Sequence, residues 1–189
     1  MNPTTKYYVD LELLLKGDPE RSRILRLVQS LGLPDCWIAA GFVRNAVWDF
    51  LHGRSTRKPS GDIDVIWFDS KRIGRDVDLQ LEGRLMDLDS SVKWSVKNQA
   101  RMHSGNGDAP YLSANDAMRY WPETATAVGV RYNHADDLEI SAPLGLEDLF
   151  GAIVRPTERF LGEKHRQFEE RLHSKQWCTE WPLLRVERQ

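Results

Sequence analysis

Gly61-Asp62-Ile63-Asp64-Val65-Ile66-Trp67-Phe68 is the stretch on which the reading of this chain turns. Ile63 to Phe68 are β-branched, aromatic and mostly apolar, which predicts a central strand. On a strand, residues i and i+2 share a face. Asp62 and Asp64 therefore stand side by side at the strand entrance. Two like charges so close disfavour each other's ionisation, and a shared cation is the usual relief. Hard oxygen ligands suit Mg²⁺, which also takes phosphate oxygens. Asp-x-Asp alone also occurs on solvated strand edges; the apolar strand behind this pair makes it a seat for Mg²⁺ and a triphosphate.

The element just upstream strengthens that reading. Cys36 to Ala40 form a short apolar run, read as a buried strand, and Gly41 follows. Arg44 to Leu51 then read as a helix. The first amides of a helix lack intrahelical partners and attract anions. Gly41 lets the backbone approach a phosphate, and Arg44 adds a fork of donors.

Working outward, residues 7–16 predict a helix, and Asp18-Pro19-Glu20 starts a second one that Gly32 stops. The segment 53–61, with Arg54, Arg57, Lys58 and Pro59, is a basic loop. Val77, Leu81, Leu85 and Leu88 mark an amphipathic helix over 75–88. Val92 to Val96 alternate as a third strand, and 104–109 form a Gly/Asn-rich loop. Ser113 caps a helix to Tyr120. Pro122 ends it, and Thr124 or Thr126 starts a strand. Residues 125–132 and 138–141 form a hairpin, and 146–154 a helix broken by Pro156. Residues 157–175 form a charged helix, and the tail at 155–175 balances Arg155, Arg159, Lys164, Arg166 and Arg171 against four glutamates, as a solvated face does. The expected fold is α+β: a small mixed sheet flanked by helices, one domain over 1–189 with a helical tail from about 155.

Composition bounds the partners. The 189 residues carry 41% hydrophobic and 29% charged side chains, with a net charge of −2. That is ordinary for a globular chain with a real core, and no global basic field draws it to nucleic acid. Cys36 and Cys178 lack metal-type spacing, and His52, His134, His165 and His173 read as surface residues. The seven tryptophans read as packing. The N-terminal residues lack the apolar core of a signal peptide, and no run approaches the roughly 20 apolar residues that span a membrane. A cytoplasmic protein without membrane or DNA partners is expected.

Gly41-Phe42-Val43-Arg44-Asn45 followed by Asp62-Ile63-Asp64-Val65 resembles the head of the polymerase-β-like nucleotidyltransferase superfamily. The pattern is similar to that of tRNA CCA-adding enzymes and bacterial poly(A) polymerases, Gly-Gly-x-Val-Arg-Asp and then Asp-x-Asp. Ala40 replaces the first glycine, and Asn45 the aspartate. The segments 41–49, 97–103, 121–131 and 142–150 also resemble a small bacterial group of nucleotidyltransferase family proteins of unknown function, over about residues 20–185.

The resemblance implies three carboxylates holding two Mg²⁺ ions about 4 Å apart. The third acid usually lies in a hydrophobic–acid–hydrophobic triplet on a later strand. Leu138-Glu139-Ile140 fits, so Asp62, Asp64 and Glu139 are the expected catalytic and metal-binding set. Asp69 and Glu82 sit less well, and the third strand offers only Ser95 and Asn98. Gly41, Arg44 and Asn45 are the expected nucleotide contacts. The donor-rich run Lys97 to His103 offers Asn98, Arg101 and His103 as substrate contacts. The implied activity moves an NMP from an NTP to an acceptor hydroxyl on a small molecule, a protein or an RNA end. CCA-adding enzymes carry further helical domains that read tRNA, for which 189 residues leave little room. The alternative is a catalytically impaired nucleotide-binding or antitoxin-like regulatory protein, which Ala40 and Asn45 favour.

Overall fold

The computed structural model describes residues 3–55 and 58–188. Residues 56 and 57 of the basic loop lie outside the described residues. In chain order the elements are α1 (Pro3–Lys16), α2 (Pro19–Gln29), β1 (Trp37–Ala39), α3 (Gly41–Leu51), β2 (Ile63–Trp67), α4 (Arg75–Leu88) and β3 (Trp94–Asn98). They continue with α5 (Met102–Asn106), α6 (Ala114–Met118), β4 (Gly129–Tyr132), β5 (Leu138–Ser141), α7 (Glu147–Phe150), β6 (Ile153–Val154), α8 (His165–Lys175), α9 (Trp177–Glu180) and β7 (Arg185–Val186). This is the mixed sheet flanked by helices that the sequence predicts.

Local chemistry explains the first elements. The Asp18 carboxylate accepts from the Glu20 and Arg21 amides, and Pro19 stands at the first helical position of α2, where its missing N–H costs nothing. Ser113 likewise accepts from the Asp116 amide and starts α6.

The five strands run in the order β3-β2-β1-β4-β5. Only β2 and β3 are parallel, as the crossover through α4 requires; the other pairs are antiparallel. Alternation sorts β2. Ile63, Val65 and Trp67 face the main core beneath α1 to α4, whereas Ile66 joins a smaller cluster with Trp37, Ala39, Ala114, Met118 and Ala127. Asp64 shares that second face. Helix α6 covers the β1/β4 part of it and leaves the β2/β3 part open.

The tail packs differently from expectation. Residues 146–154 are not one helix: α7 stops at Phe150, Ala152 turns with φ 54°, and β6 pairs with β7 in a separate parallel ribbon. The 157–175 helix is in two pieces, a 3₁₀ turn at Glu158–Phe160 and then α8. Thr124–Thr126 is a 3₁₀ turn rather than a strand start, and α5 occupies much of the expected 104–109 loop. Phe168, Trp177, Trp181 and Leu184 join the main core. Trp48 of α3 meets Trp177 and Trp181 edge-on at 5.7 and 5.2 Å, and Trp181 Nε1 donates to Asp49 at 2.9 Å. Most of the tryptophans are packing residues, as expected.

Candidate active site

The open part of the sheet face is the floor of a cleft of about 590 Å³. Ala40, Asp64, Ile66 and Lys97 form the floor, and Tyr120, Trp121 and Pro122 form one wall. Phe160, Lys164, Gln167 and Arg171 form the roof. Gln167 and Arg171 are one turn apart on α8, and Lys164 caps its start, so this face of α8 looks onto the sheet. The charged tail is therefore not wholly solvated. Arg166 is exposed and pairs with Glu170, but Lys164 and Arg171 stand over the floor. Among the described residues that line this space, Lys97, Lys164 and Arg171 are cations and Asp64 is the one acid. That balance favours an anionic ligand.

Asp64 lies on β2 between Ala39 of β1 and Ser95 of β3. Burial pushes its carboxyl pKa up and nearby Asp62 adds to the rise; Lys97, a Ser95 hydrogen bond and Arg171 oppose it. Asp62 lies just before β2, where Lys93 Nζ pairs with it at 2.6 Å through side chains 76% and 47% exposed. A pair so open to solvent is weak and leaves Asp62 able to turn to a ligand.

Glu139 is not the third member of this group. It lies on edge strand β5, and β4 and β1 intervene before β2, three strand spacings or about 14 Å. Its carboxylate accepts from Arg131 Nε at 2.6 Å and Asn133 Nδ2 at 3.3 Å. It lines a separate cleft of about 410 Å³ with Cys36, Tyr132 and His134. In the cross-strand row of Asp64 the other positions are Ser95, Ala39, Gly129 and Ser141. None is acidic, so the expected three-carboxylate set is not assembled. Among the described residues no group of three or more His, Cys, Asp or Glu is placed to hold a metal ion. The donors present fit one Mg²⁺ that takes two carboxylates and completes its shell with phosphate oxygens and water.

At the start of α3 the strained residue is Ala40, with φ 55° and ψ −122°, a left-handed conformation that glycine adopts more easily. Gly41, by contrast, has ordinary space around it. The Val43 and Arg44 amides both reach the Ala40 carbonyl, leaving those of Gly41 and Phe42 without an intrahelical partner. Arg44 lies behind the cleft wall. Its guanidinium sits between the Trp48 and Trp177 rings at 4.9 and 4.5 Å and donates to Thr126 and to Asn45. Burial lowers its pKa to about 10, with Glu123 opposing.

The expected substrate contacts of 97–103 divide. Asn98 is fully buried and bonds Asp69, Arg72 and Ala100. Arg101 pairs with buried Asp78. His103 Nδ1 donates to the Ala100 carbonyl at 3.0 Å, and its ring stands edge-on to Tyr111. These three hold the segment together, whereas Lys97, Gln99 and Met102 reach the cleft. The third strand runs on to Asn98, and alternation carried past Val96 would have placed Lys97 on the face of Asp64; the roof residues carry no local signal.

A family model described as nucleotidyltransferase matches residues 26–186. One solved structure, whose NMR study reveals a CCA-adding enzyme head domain, is similar at 37% identity and a TM-score of 0.85, over 95% of each chain. A CCA-adding enzyme in complex with CTP shares the fold at 17% identity and a TM-score of 0.52, over 97% of this chain and 43% of that one. The Thermotoga maritima CCA-adding enzyme complexed with tRNA_CCA does so at 16% and 0.54, over 90% and 40%. The chain thus spans about two fifths of those longer enzymes. A comparison with curated proteins finds no match. No helix among the described residues is long and apolar enough to cross a membrane. With its sheet, its Asp-x-Asp strand and the match over most of its length, this chain belongs to the nucleotidyltransferase family.

Proposed function

We propose that the chain transfers a nucleoside monophosphate from an NTP to an acceptor hydroxyl, with Asp62 and Asp64 holding Mg²⁺. The observation that carries this reading is the placement of Asp64. It stands on the floor of a cationic cleft, beside the start of a helix. The acceptor oxygen bonds the α-phosphorus, the bond to the β-bridging oxygen breaks, pyrophosphate leaves, and the hydroxyl proton goes to water. Bound Mg²⁺ supplies charge neutralisation on the phosphate oxygens. The protein's task is placement: Lys97 balances phosphate charge from the floor, and the Gly41 and Phe42 amides offer donors at the edge. Arg44 and Asn45 shape that edge through Thr126. The acceptor, a small molecule, a protein or an RNA end, enters from the open side.

A second reading, nucleotide binding with impaired transfer, is favoured by one observation: Ser95 stands beside Asp64 where a third carboxylate would complete the set. Incubation with each labelled NTP, Mg²⁺ and a cell extract separates the two. Pyrophosphate release with a labelled acceptor is expected. NTP binding without release, across all four nucleotides, would sink transfer and leave binding.

A further inference from the structure

Of the three cations in the cleft, two have visible roles and one does not. Lys164 Nζ is spent on the Asn106 carbonyl at 2.5 Å and lies 3.6 Å from Asp108, tying α8 to the loop after α5. Lys97 stands beside Asp64 and offsets its charge. The Arg171 side chain makes one hydrogen bond among the described residues, from Nε to Glu123 Oε1 at 2.6 Å. Its two terminal nitrogens carry four N–H donors and are left for the cleft that Arg171 lines.

Glu123 is unusual in its own right. Its side chain is 1% exposed, and its second oxygen, Oε2, is buried with no hydrogen-bond partner among the described residues. Arg44 Nε, also buried and unpartnered, lies in the same charged layer. A buried carboxylate satisfied on one oxygen costs stability, so its retention calls for a reason. The reason visible in the geometry is orientation. Glu123 grips the inner edge of the Arg171 guanidinium, and the Trp177 ring lies 5.5 Å from its carbon. The plane is held from two sides, and Arg171 lines the same cleft as Asp64.

We propose that Arg171 binds the phosphate chain of the nucleotide from the roof, and that Glu123 is the positioning residue that aims it. The inference rests on the nucleotide reading above and deepens it: the C-terminal segment supplies part of the binding site. A planar fork of donors matches phosphate oxygens in a bidentate way that an ammonium cannot.

The test measures equilibrium binding of an NTP with Mg²⁺, of inorganic tripolyphosphate and of the matching nucleoside to the full chain. The variants are Arg171→Gln, Arg171→Lys, Glu123→Gln and the double variant Glu123→Gln/Arg171→Gln. The double variant leaves no abandoned buried carboxylate, so it keeps the test open if Arg171→Gln alone unfolds the tail. Arg171→Gln and the double variant should weaken NTP and tripolyphosphate binding by about tenfold or more, the scale of a charge-assisted bidentate contact. Nucleoside binding should hold within about twofold, Arg171→Lys should recover part of the loss, and Glu123→Gln should fall between. Equal loss for nucleoside and NTP would make Arg171 merely structural and overturn the proposal. Unchanged NTP binding in both glutamine variants overturns it too and leaves the nucleotide reading standing. No NTP binding by the unmodified chain removes that reading and, with it, the ligand assigned to Arg171.

Discussion

The open face of the sheet carries charge in two places, at β2 and at β5, and the two are finished differently. On β5 every charge has an answer. Glu139 accepts from Arg131 and Asn133, and Arg131 stacks over Trp37 at 4.1 Å. Arg131 beside it holds the Glu139 carboxyl below its ordinary pKa, with Asn133 assisting. On β2 the carboxyl of Asp64 is pushed the other way by burial, and Lys97 and Arg171 have donors to spare. A satisfied ion pair is part of the scaffold. A carboxylate in an environment that disfavours its charge, beside cations with free donors, is the kind of group that functional sites collect.

The largest test of this contrast is activity. Asp64→Ala should lower pyrophosphate release by about a thousandfold or more. Glu139→Ala should change it by less than about threefold, since its charge is spent within its own strand pair. Equal losses would put Glu139 back in the site and erase the distinction.

Next comes backbone strain. Ala40 holds a left-handed conformation at the cleft, whereas buried Ala39 is an ordinary strand residue. Ala39→Gly should cost about 1 kcal/mol through lost packing and a freer unfolded chain. Ala40→Gly should cost nothing or stabilise slightly, because relief of strain offsets those same losses. Chemical denaturation of both variants measures the difference, and an equal cost at the two sites would deny the strain.

Stability against pH distinguishes the two carboxylates by sign. Folding raises the pKa of Asp64, so its contribution is fully present below the ordinary value of 3.8 and is lost as pH rises through the folded value. Asp64→Asn should therefore stabilise the protein at neutral pH by about 1 kcal/mol, the scale seen when a functional residue is relieved. The gain should vanish toward pH 3. Folding lowers the pKa of Glu139, so its contribution is present above the ordinary carboxylate range and is lost as pH falls through the folded value. Glu139→Gln should cost about 0.5 kcal/mol at neutral pH, as half-exposed pairs do. Thermal melts of both variants from pH 3 to 8 check the signs; parallel curves would contradict them.

Much of the fold was legible because its signals are local. Asp18-Pro19 fixes the start of α2 within three residues, and the leucine stripe gives α4 its bounds. Strand alternation alone places Asp64 on the sheet face opposite Val65 and Trp67, whereas Asp62 precedes β2 and pairs with Lys93. Glu139 misled because its apolar–acid–apolar triplet is a local pattern, whereas its place at the sheet edge is a matter of strand order. Ile153–Val154 read as helix because the partner that makes them a strand, Arg185–Val186, lies more than thirty residues on. Arg171 was read as surface because its neighbour Glu123 is 48 positions away. No periodicity within α8 distinguishes a face turned to water from one turned to a cleft.

The roof of the cleft has one more consequence, in the order of synthesis. Asp64 leaves the ribosome about a hundred residues before Arg171. Lys97, the last floor residue to emerge, precedes Arg171 by 74 residues, so at about 5–20 residues per second the floor waits roughly 4–15 s for its roof. A nascent chain thus exposes the carboxylates and the start of α3 without the cations of the tail. The order of translation itself keeps the cleft without its roof until nearly all of these residues have emerged.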